Sequence, residues 1–192
     1  MRRTLVLTMR ALAGLNIASH LPDLPGQNDS PVATSAVAWD DWRQAVAQFA
    51  AQMPQPFVTA AWRGGALIDD AAAGALGHWR MAPAAGASIL KTMVRTRIAS
   101  EREAGRTIGA SDVRALAMRD GHVELAGNRL SLAMFDGLEQ AQCAEVERLR
   151  IVAAADMAGS ALWLRAEPGE DAAMAVAMAR DLADWAVQCA AG

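Results

Sequence analysis

Short apolar segments alternate with helical stretches along most of this 192-residue chain. Five segments have the length and composition of buried strands, namely residues 17–21, 57–61, 77–82, 149–154 and 161–166. Helices that connect successive strands are typical of parallel sheets, whose two faces they cover. The alternation therefore predicts an α/β fold in which helices flank a mostly parallel sheet.

Residues 86–141 interrupt this alternation. The segment is long, charge-rich and helical in character, with a break near Gly105–Gly109 and a small hairpin-like patch over His122–Leu130. We expect it to lie outside the sheet as a cap-like insertion. No repeat or linker divides the rest, and the length suits one folded unit. We therefore interpret residues 1–192 as a single domain.

Composition and charge narrow the classes of function. Apolar residues make up 53% of the chain and charged residues 20%, which is typical of a globular protein. The net charge of −3 provides no basic field for nucleic acid. Cys143 and Cys189 have neither a C-x-x-C nor a metal-site spacing, so we interpret them as inert packing thiols. We expect no metal and no cofactor.

The first residues, MRRTLVLTMRALAGL, superficially resemble a signal peptide, because two arginines precede an apolar stretch. Arg10 interrupts that stretch, and Leu5, Met9 and Leu12 fall at helical spacing. This pattern predicts an amphipathic helix that ends at Gly14. No apolar run approaches the ~20 residues that cross a bilayer. We expect no membrane insertion and a cytoplasmic location.

One short segment combines a strand, a glycine turn and a helix start. The apolar residues 57–61 run directly into Trp62-Arg63-Gly64-Gly65 and then into helix-forming residues. In α/β-hydrolases a G-x-S-x-G turn at this place lifts a nucleophile above the sheet. Here the small flanking residues permit the turn, but its central residue is Arg63, which is always protonated and cannot attack a carbonyl.

Two interpretations of Arg63 remain open. It either caps or salt-bridges an ordinary βα turn, or it projects into a vestigial pocket and binds an anionic group with help from the following helix N-terminus. The candidate ligand-binding residues are Trp62, Arg63, Gly64, Gly65 and Asp23. Asp23 is included because it follows the first predicted strand, where α/β folds place ligand-binding loops.

No catalytic residue can be assigned. The triad histidine of this fold follows the last strand, where residues 167–171 contain none. We interpret His20 and His78 as structural and His122 as an exposed residue of the insertion. Asp69 and Asp70 are unspecific, since aspartates at helix starts are usually caps. The hydrolytic alternative that remains is an unconventional site, for example one in which Asp23 or Asp29 activates water.

Several motifs carry a resemblance to a known family. Residues 21–26, followed by Asn28-Asp29-Ser30, are similar to the strand and loop before helix B of α/β-hydrolases. More narrowly, the chain resembles the exosortase A system-associated hydrolase 2 family, in the order of these motifs: Asp41-Trp42-Arg43, the turn at 61–67, Trp79 before the 83–86 turn, and residues 123–128. The resemblance implies an arginine at the nucleophile position and a link to exosortase or exopolysaccharide loci.

The same resemblance implies that this chain lacks strands and a loop that the family has. Relatives have further strands and an oxyanion-hole loop before the helix that opens this chain, and a strand between those at 17–21 and 57–61. We therefore expect a chain that is truncated at its N-terminus relative to the family. Either the two strands pair directly, or a gap in the sheet is left open.

Three functions remain. The leading hypothesis is a catalytically degenerate α/β-hydrolase-like accessory or binding protein that takes a small-molecule or anionic ligand. The first alternative is an active hydrolase or esterase with an unconventional site. The second is a structural partner whose sheet is completed in a homo-oligomer or in a complex with another protein.

Overall fold

The computed structural model describes residues 2–157 and 171–192, and this part of the chain contains six α-helices and five strands. The helices are α1 (Arg2–Gly14), α2 (Trp39–Ala50), α3 (Gly86–Glu103), α4 (Ala110–Asp120), α5 (Leu132–Gln140) and α6 (Ala172–Ala191). The strands are β1 (Thr59–Trp62), β2 (His78–Met81), β3 (His122–Leu125), β4 (Asn128–Ser131) and β5 (Leu149–Val152).

The central feature is a three-stranded parallel sheet in the order β1-β2-β5. Its register pairs Trp62 with Met81 and Met81 with Val152, so the three strands end level with one another. The predicted α/β class and the parallel pairing of these strands are confirmed. The second sheet is the antiparallel hairpin β3-β4, which matches the hairpin-like patch expected inside residues 86–141.

The predicted strand at 17–21 is wrong. Ile17 closes the end of α1 by donating its N–H to Leu12 O, and the residues that follow pair with no strand in the described parts of the chain. His20 instead lies edge-on to Phe49 of α2, with ring centroids 6.3 Å apart. Extended residues become a strand only when a neighbouring backbone accepts their hydrogen bonds. The predicted strand at 161–166 lies outside the described residues.

Two apolar clusters organise the packing. One lies between the sheet and the helices α1 and α6, and its most buried large members are Leu12, Trp79, Met81, Met174 and Met178. The other joins α2 and the turn after β1 to the elements of residues 86–141, with Val37, Leu67, Val113, Leu125 and Met134 almost fully buried. Residues 86–141 contribute no strand to the parallel sheet.

Side-chain caps define two of the helix starts. Asp171 Oδ1 accepts the N–H of Met174 at 2.9 Å and begins α6, and Ser131 Oγ accepts the N–H of Met134 at 2.9 Å and begins α5. The predicted first helix is confirmed and ends at Gly14. Across residues 2–157 and 171–192, no helix has both the length and the apolar character needed to span a bilayer.

Candidate functional site

The turn at the end of β1 has the strained geometry that its sequence predicts. Arg63 follows the strand directly with φ = +50°, in the left-handed region that L-residues rarely occupy. The α-helix expected after it is replaced by two short 3-10 helices, Arg63–Leu67 and Asp69–Ala71. Glycine favours helix weakly, which disfavours a longer helix at this point. The expected helix dipole is therefore absent from this site.

The neighbours of Arg63 have packing roles. A Cβ on Gly64 would lie 2.9 Å from Ile89 Cδ1, so glycine lets the turn lie close against α3, whereas Gly65 has room for a methyl group. The side chain of Trp62 packs against the cluster between the sheet and helices α1 and α6, where its Nε1 donates to Met178 Sδ at 3.2 Å. Arg63 is half-buried and engaged with another group. Four of the five predicted ligand-binding residues, Trp62 to Gly65, thus lie at the end of β1 and in the turn after it.

A second strained residue lies beside Arg63. Ala82 follows β2 with φ = +45°, and the pairing of Trp62 with Met81 places Ala82 next to Arg63 at the carboxyl edge of the sheet. Ala82 donates its N–H to Val152 O at 2.8 Å, which joins the end of β5 to the same edge. Ligands of open α/β sheets bind at this edge. The two strained residues mark it as the candidate site.

Asp23 is occupied elsewhere. Its Oδ1 accepts hydrogen bonds from Arg2 Nη1 and Asn28 Nδ2, each at 2.9 Å. The hydrogen bond from Arg2 holds the pKa of Asp23 below its usual 3.8. A carboxylate with a lowered pKa is a poor general base near neutral pH. The contacts of Asp23 therefore tie the loop after α1 to that helix and give no support to water activation.

A pair of buried charges lies just beyond the turn. Arg80 donates through Nε and Nη2 to the two carboxylate oxygens of Asp69, at 2.9 and 2.8 Å, and through Nη1 to Ala144 O at 2.8 Å. Both residues are buried. Sequence reasoning treated Asp69 as unspecific and missed Arg80. The available signal was an arginine inside a buried strand, since a buried charge requires a partner.

The next aspartate is bound in the same manner. Arg43 of α2 donates through Nη1 and Nη2 to Asp70 at 2.9 and 2.7 Å, and through Nη1 to Leu67 O at 3.3 Å. The hydrogen bond from Arg43 lowers the pKa of Asp70. Asp69 and Asp70 were expected to be caps; both are instead bound by arginines from other elements.

His78 stands beside this cluster without forming a catalytic triad. Thr59 Oγ1 lies 2.9 Å and Asp69 Oδ2 3.4 Å from the same ring nitrogen, Nδ1. The contact with Thr59 Oγ1 is a hydrogen bond whose donor depends on the ring tautomer. A triad needs the carboxylate at one ring nitrogen and the nucleophile at the other. The arrangement agrees with the structural role expected for His78.

In the part of the chain that the structure describes, neither a ready metal cluster nor an activated Cys143 thiol is found. No cluster of three or more His, Cys, Asp or Glu side chains is suitably placed for a metal ion there. Burial raises the pKa of the Cys143 thiol, which keeps it protonated at neutral pH.

An open cleft of about 370 Å³ lies between α2 and α5, lined by Ala38, Trp39, Asp40, Ala133, Gly137, Gln140 and Ala141.

Comparison with known proteins adds no relative. No protein-family model matches this chain, and neither does any curated protein or solved structure. The strained turn and the charges around it are therefore the features of this chain that indicate a function.

Proposed function

We propose that this chain is a catalytically degenerate α/β-hydrolase-like protein that binds a small anionic ligand at the carboxyl edge of its sheet. The observation that carries the proposal is the left-handed conformation of Arg63 at the end of β1. Backbone strain of this kind persists only where the surrounding structure enforces it, and it concentrates at ligand-binding and active sites. In a hydrolase the corresponding turn presents the nucleophile.

The chemistry of arginine indicates the class of ligand. A guanidinium stays protonated at all physiological pH values and offers a planar fork of donors that matches carboxylate and phosphate groups. It cannot accept a proton or form an acyl intermediate. A site centred on Arg63 is therefore suited to holding an acid or a phosphorylated compound, and not to cleaving an ester.

The binding test uses inorganic phosphate and acetate as probes, with sodium chloride at equal ionic strength as the reference. We expect both probes to raise the melting temperature of the wild type but not that of Arg63→Met, since a ligand that binds only the folded state stabilises it. The matched control is Arg95→Met, which removes an exposed arginine of α3. An equal rise in Arg63→Met, or no rise in the wild type, would refute the proposal.

The activity test addresses the hydrolase alternative. We expect the purified protein to hydrolyse activated esters no faster than its Arg63→Ala variant, and a fluorophosphonate probe to leave both unlabelled. Turnover above that level that is lost in Asp23→Ala would support water activation instead. The resemblance to the exosortase A system-associated hydrolases adds an accessory role near exosortase or exopolysaccharide loci, which the gene neighbourhood tests.

A second candidate function has its own observation. Within the described residues β1 pairs with β2 alone, and residues 17–21 form no strand to cover its other edge. An open edge is a template for a strand of another chain. We therefore retain self-association or a protein partner as an alternative, in which a strand adds to β1.

One substitution tests this alternative without disturbing the sheet. The N–H of Thr59 bonds to Gly77 O, so the alternation of the strand points the N–H of Ala60 away from β2. Ala60→Pro removes that outward donor and no hydrogen bond to β2. We expect sedimentation of the wild type to show an oligomer that Ala60→Pro converts to monomer. A wild type that sediments as a monomer excludes self-association.

A further inference from the structure

The turn that carries Arg63 is fixed at its far end by two arginines from different parts of the fold. Arg80 comes from β2 and binds Asp69, and Arg43 comes from α2 and binds Asp70. The two aspartates are consecutive and begin the second 3-10 helix. Both contacts use two nitrogens and two carboxylate oxygens, which is the most directional form of an ion pair.

The two contacts differ in exposure. The side chains of Arg80 and Asp69 are 2% and 5% exposed, whereas those of Arg43 and Asp70 are 36% and 20% exposed. Arg43 also donates to Leu67 O, the last residue of the 3-10 helix that Arg63 begins. The more exposed arginine therefore contacts both short helices after the strand.

The geometry points to Arg43 and Arg80 as positioning residues for Arg63. This inference rests on the proposed function for the identity of the site, but its structural content can be tested alone. A 3-10 helix of a few residues has poor hydrogen-bond geometry and does not hold a strained residue by itself. The two arginines supply that restraint, and Arg43 is the restraint that can be removed without opening the core.

Hydrogen exchange by mass spectrometry measures the restraint directly. We expect Arg43→Met to exchange amides of residues 63–71 about fivefold faster, the effect of losing one half-exposed ion pair, while α1 and α6 keep wild-type rates. The matched control is Arg114→Met, which removes a surface pair with Asp136 and Glu139. It should leave residues 63–71 unchanged. Arg43→Lys keeps the charge but loses the fork of donors, so it should restore only part of the protection.

Two outcomes overturn the inference. Exchange at 63–71 that is unchanged in Arg43→Met shows that the turn holds itself. Exchange that rises equally in α1 and α6 shows a general loss of stability. Phosphate binding is measured in parallel, and we expect it to weaken several-fold in Arg43→Met. Absence of phosphate binding in the wild type refutes the proposed ligand, whereas the exchange result still decides the role of Arg43.

Discussion

The two faces of β2 bury their side chains differently: one face packs apolar groups, and the other pairs polar and charged groups. All four of its residues are buried, and successive side chains point to opposite faces. Trp79 and Met81 enter the apolar layer under α1 and α6. His78 and Arg80 enter a layer of paired polar groups under the turn after β1.

This difference indicates a separate role for each layer, one in stability and one in geometry. An apolar layer tolerates many side chains of similar volume, and its stability follows the area that it buries. A buried ion pair adds little net stability, because desolvation offsets its attraction, but it fixes one geometry. In this chain the apolar face serves mainly to hold the fold together, and the charged face serves mainly to hold the turn of Arg63 in place.

The largest effect is expected from Arg80→Met. It leaves the buried carboxylate of Asp69 without its guanidinium, and losing one partner of a buried pair costs about 3–5 kcal/mol. The free energy of unfolding in urea measures this loss. The double variant Arg80→Met/Asp69→Leu removes the unpaired charge as well and should recover most of it. If the double variant is no more stable than the single one, the two faces do not differ as described.

The next effect is expected from Met81→Ala, the neighbouring residue on the opposite face. Its side chain is fully buried, and truncation to alanine leaves a cavity that costs about 2–5 kcal/mol, depending on how far the site collapses. The same urea titration applies. We expect hydrogen exchange at 63–71 to follow the global loss without a local excess. A local excess would mean that the apolar face also positions the turn.

A smaller effect separates backbone strain from side-chain contacts at Arg63. Arg63→Gly and Arg63→Ala both remove the guanidinium, but only glycine adopts φ = +50° without strain. We expect the glycine variant to be about 1 kcal/mol more stable than the alanine variant. The difference in melting temperature between the two measures it. Equal melting temperatures would show that the turn relaxes once the guanidinium is removed.

The smallest effect concerns pH. The pKa of Asp70 is lowered by Arg43 from its ordinary 3.8, so the pair contributes stability above that pH and loses it as the pH falls through the lowered value. The wild type should lose more stability than Asp70→Asn on acidification from about pH 5, by less than about 1 kcal/mol because the pair is half-exposed. Identical acid profiles would show that this ion pair contributes nothing.

The fold was predictable where local signals sufficed. The strands at 77–82 and 149–154, the first helix and the hairpin were found from periodicity and turn residues, with ends displaced by a few residues. The absence of a strand at 17–21 was not predictable, because strand formation depends on a neighbour that is distant in sequence. His20 lies instead against Phe49 of α2, and Ile17 packs against the apolar cluster of α1 and α6.

The candidate site was predictable only in part. The sharp turn at Arg63 follows from glycines that come directly after an apolar strand. The partners of Asp69 and Asp70 do not, since Arg80 and Arg43 are 11 and 27 residues away on other elements. The same limit explains Asp23, whose arginine partner lies in α1. Which charges pair depends on tertiary contacts between residues that are distant in sequence, and local sequence patterns do not show these contacts.

The packing of α1 against α6 has a consequence for how the chain folds. Leu12 of α1 and Met174 and Met178 of α6 share one apolar cluster, although nearly the whole described chain separates them. Contacts between distant segments form late, because closing the loop between them is entropically costly. During synthesis the face of α1 that packs against α6 therefore lacks that partner until α6 itself has been made.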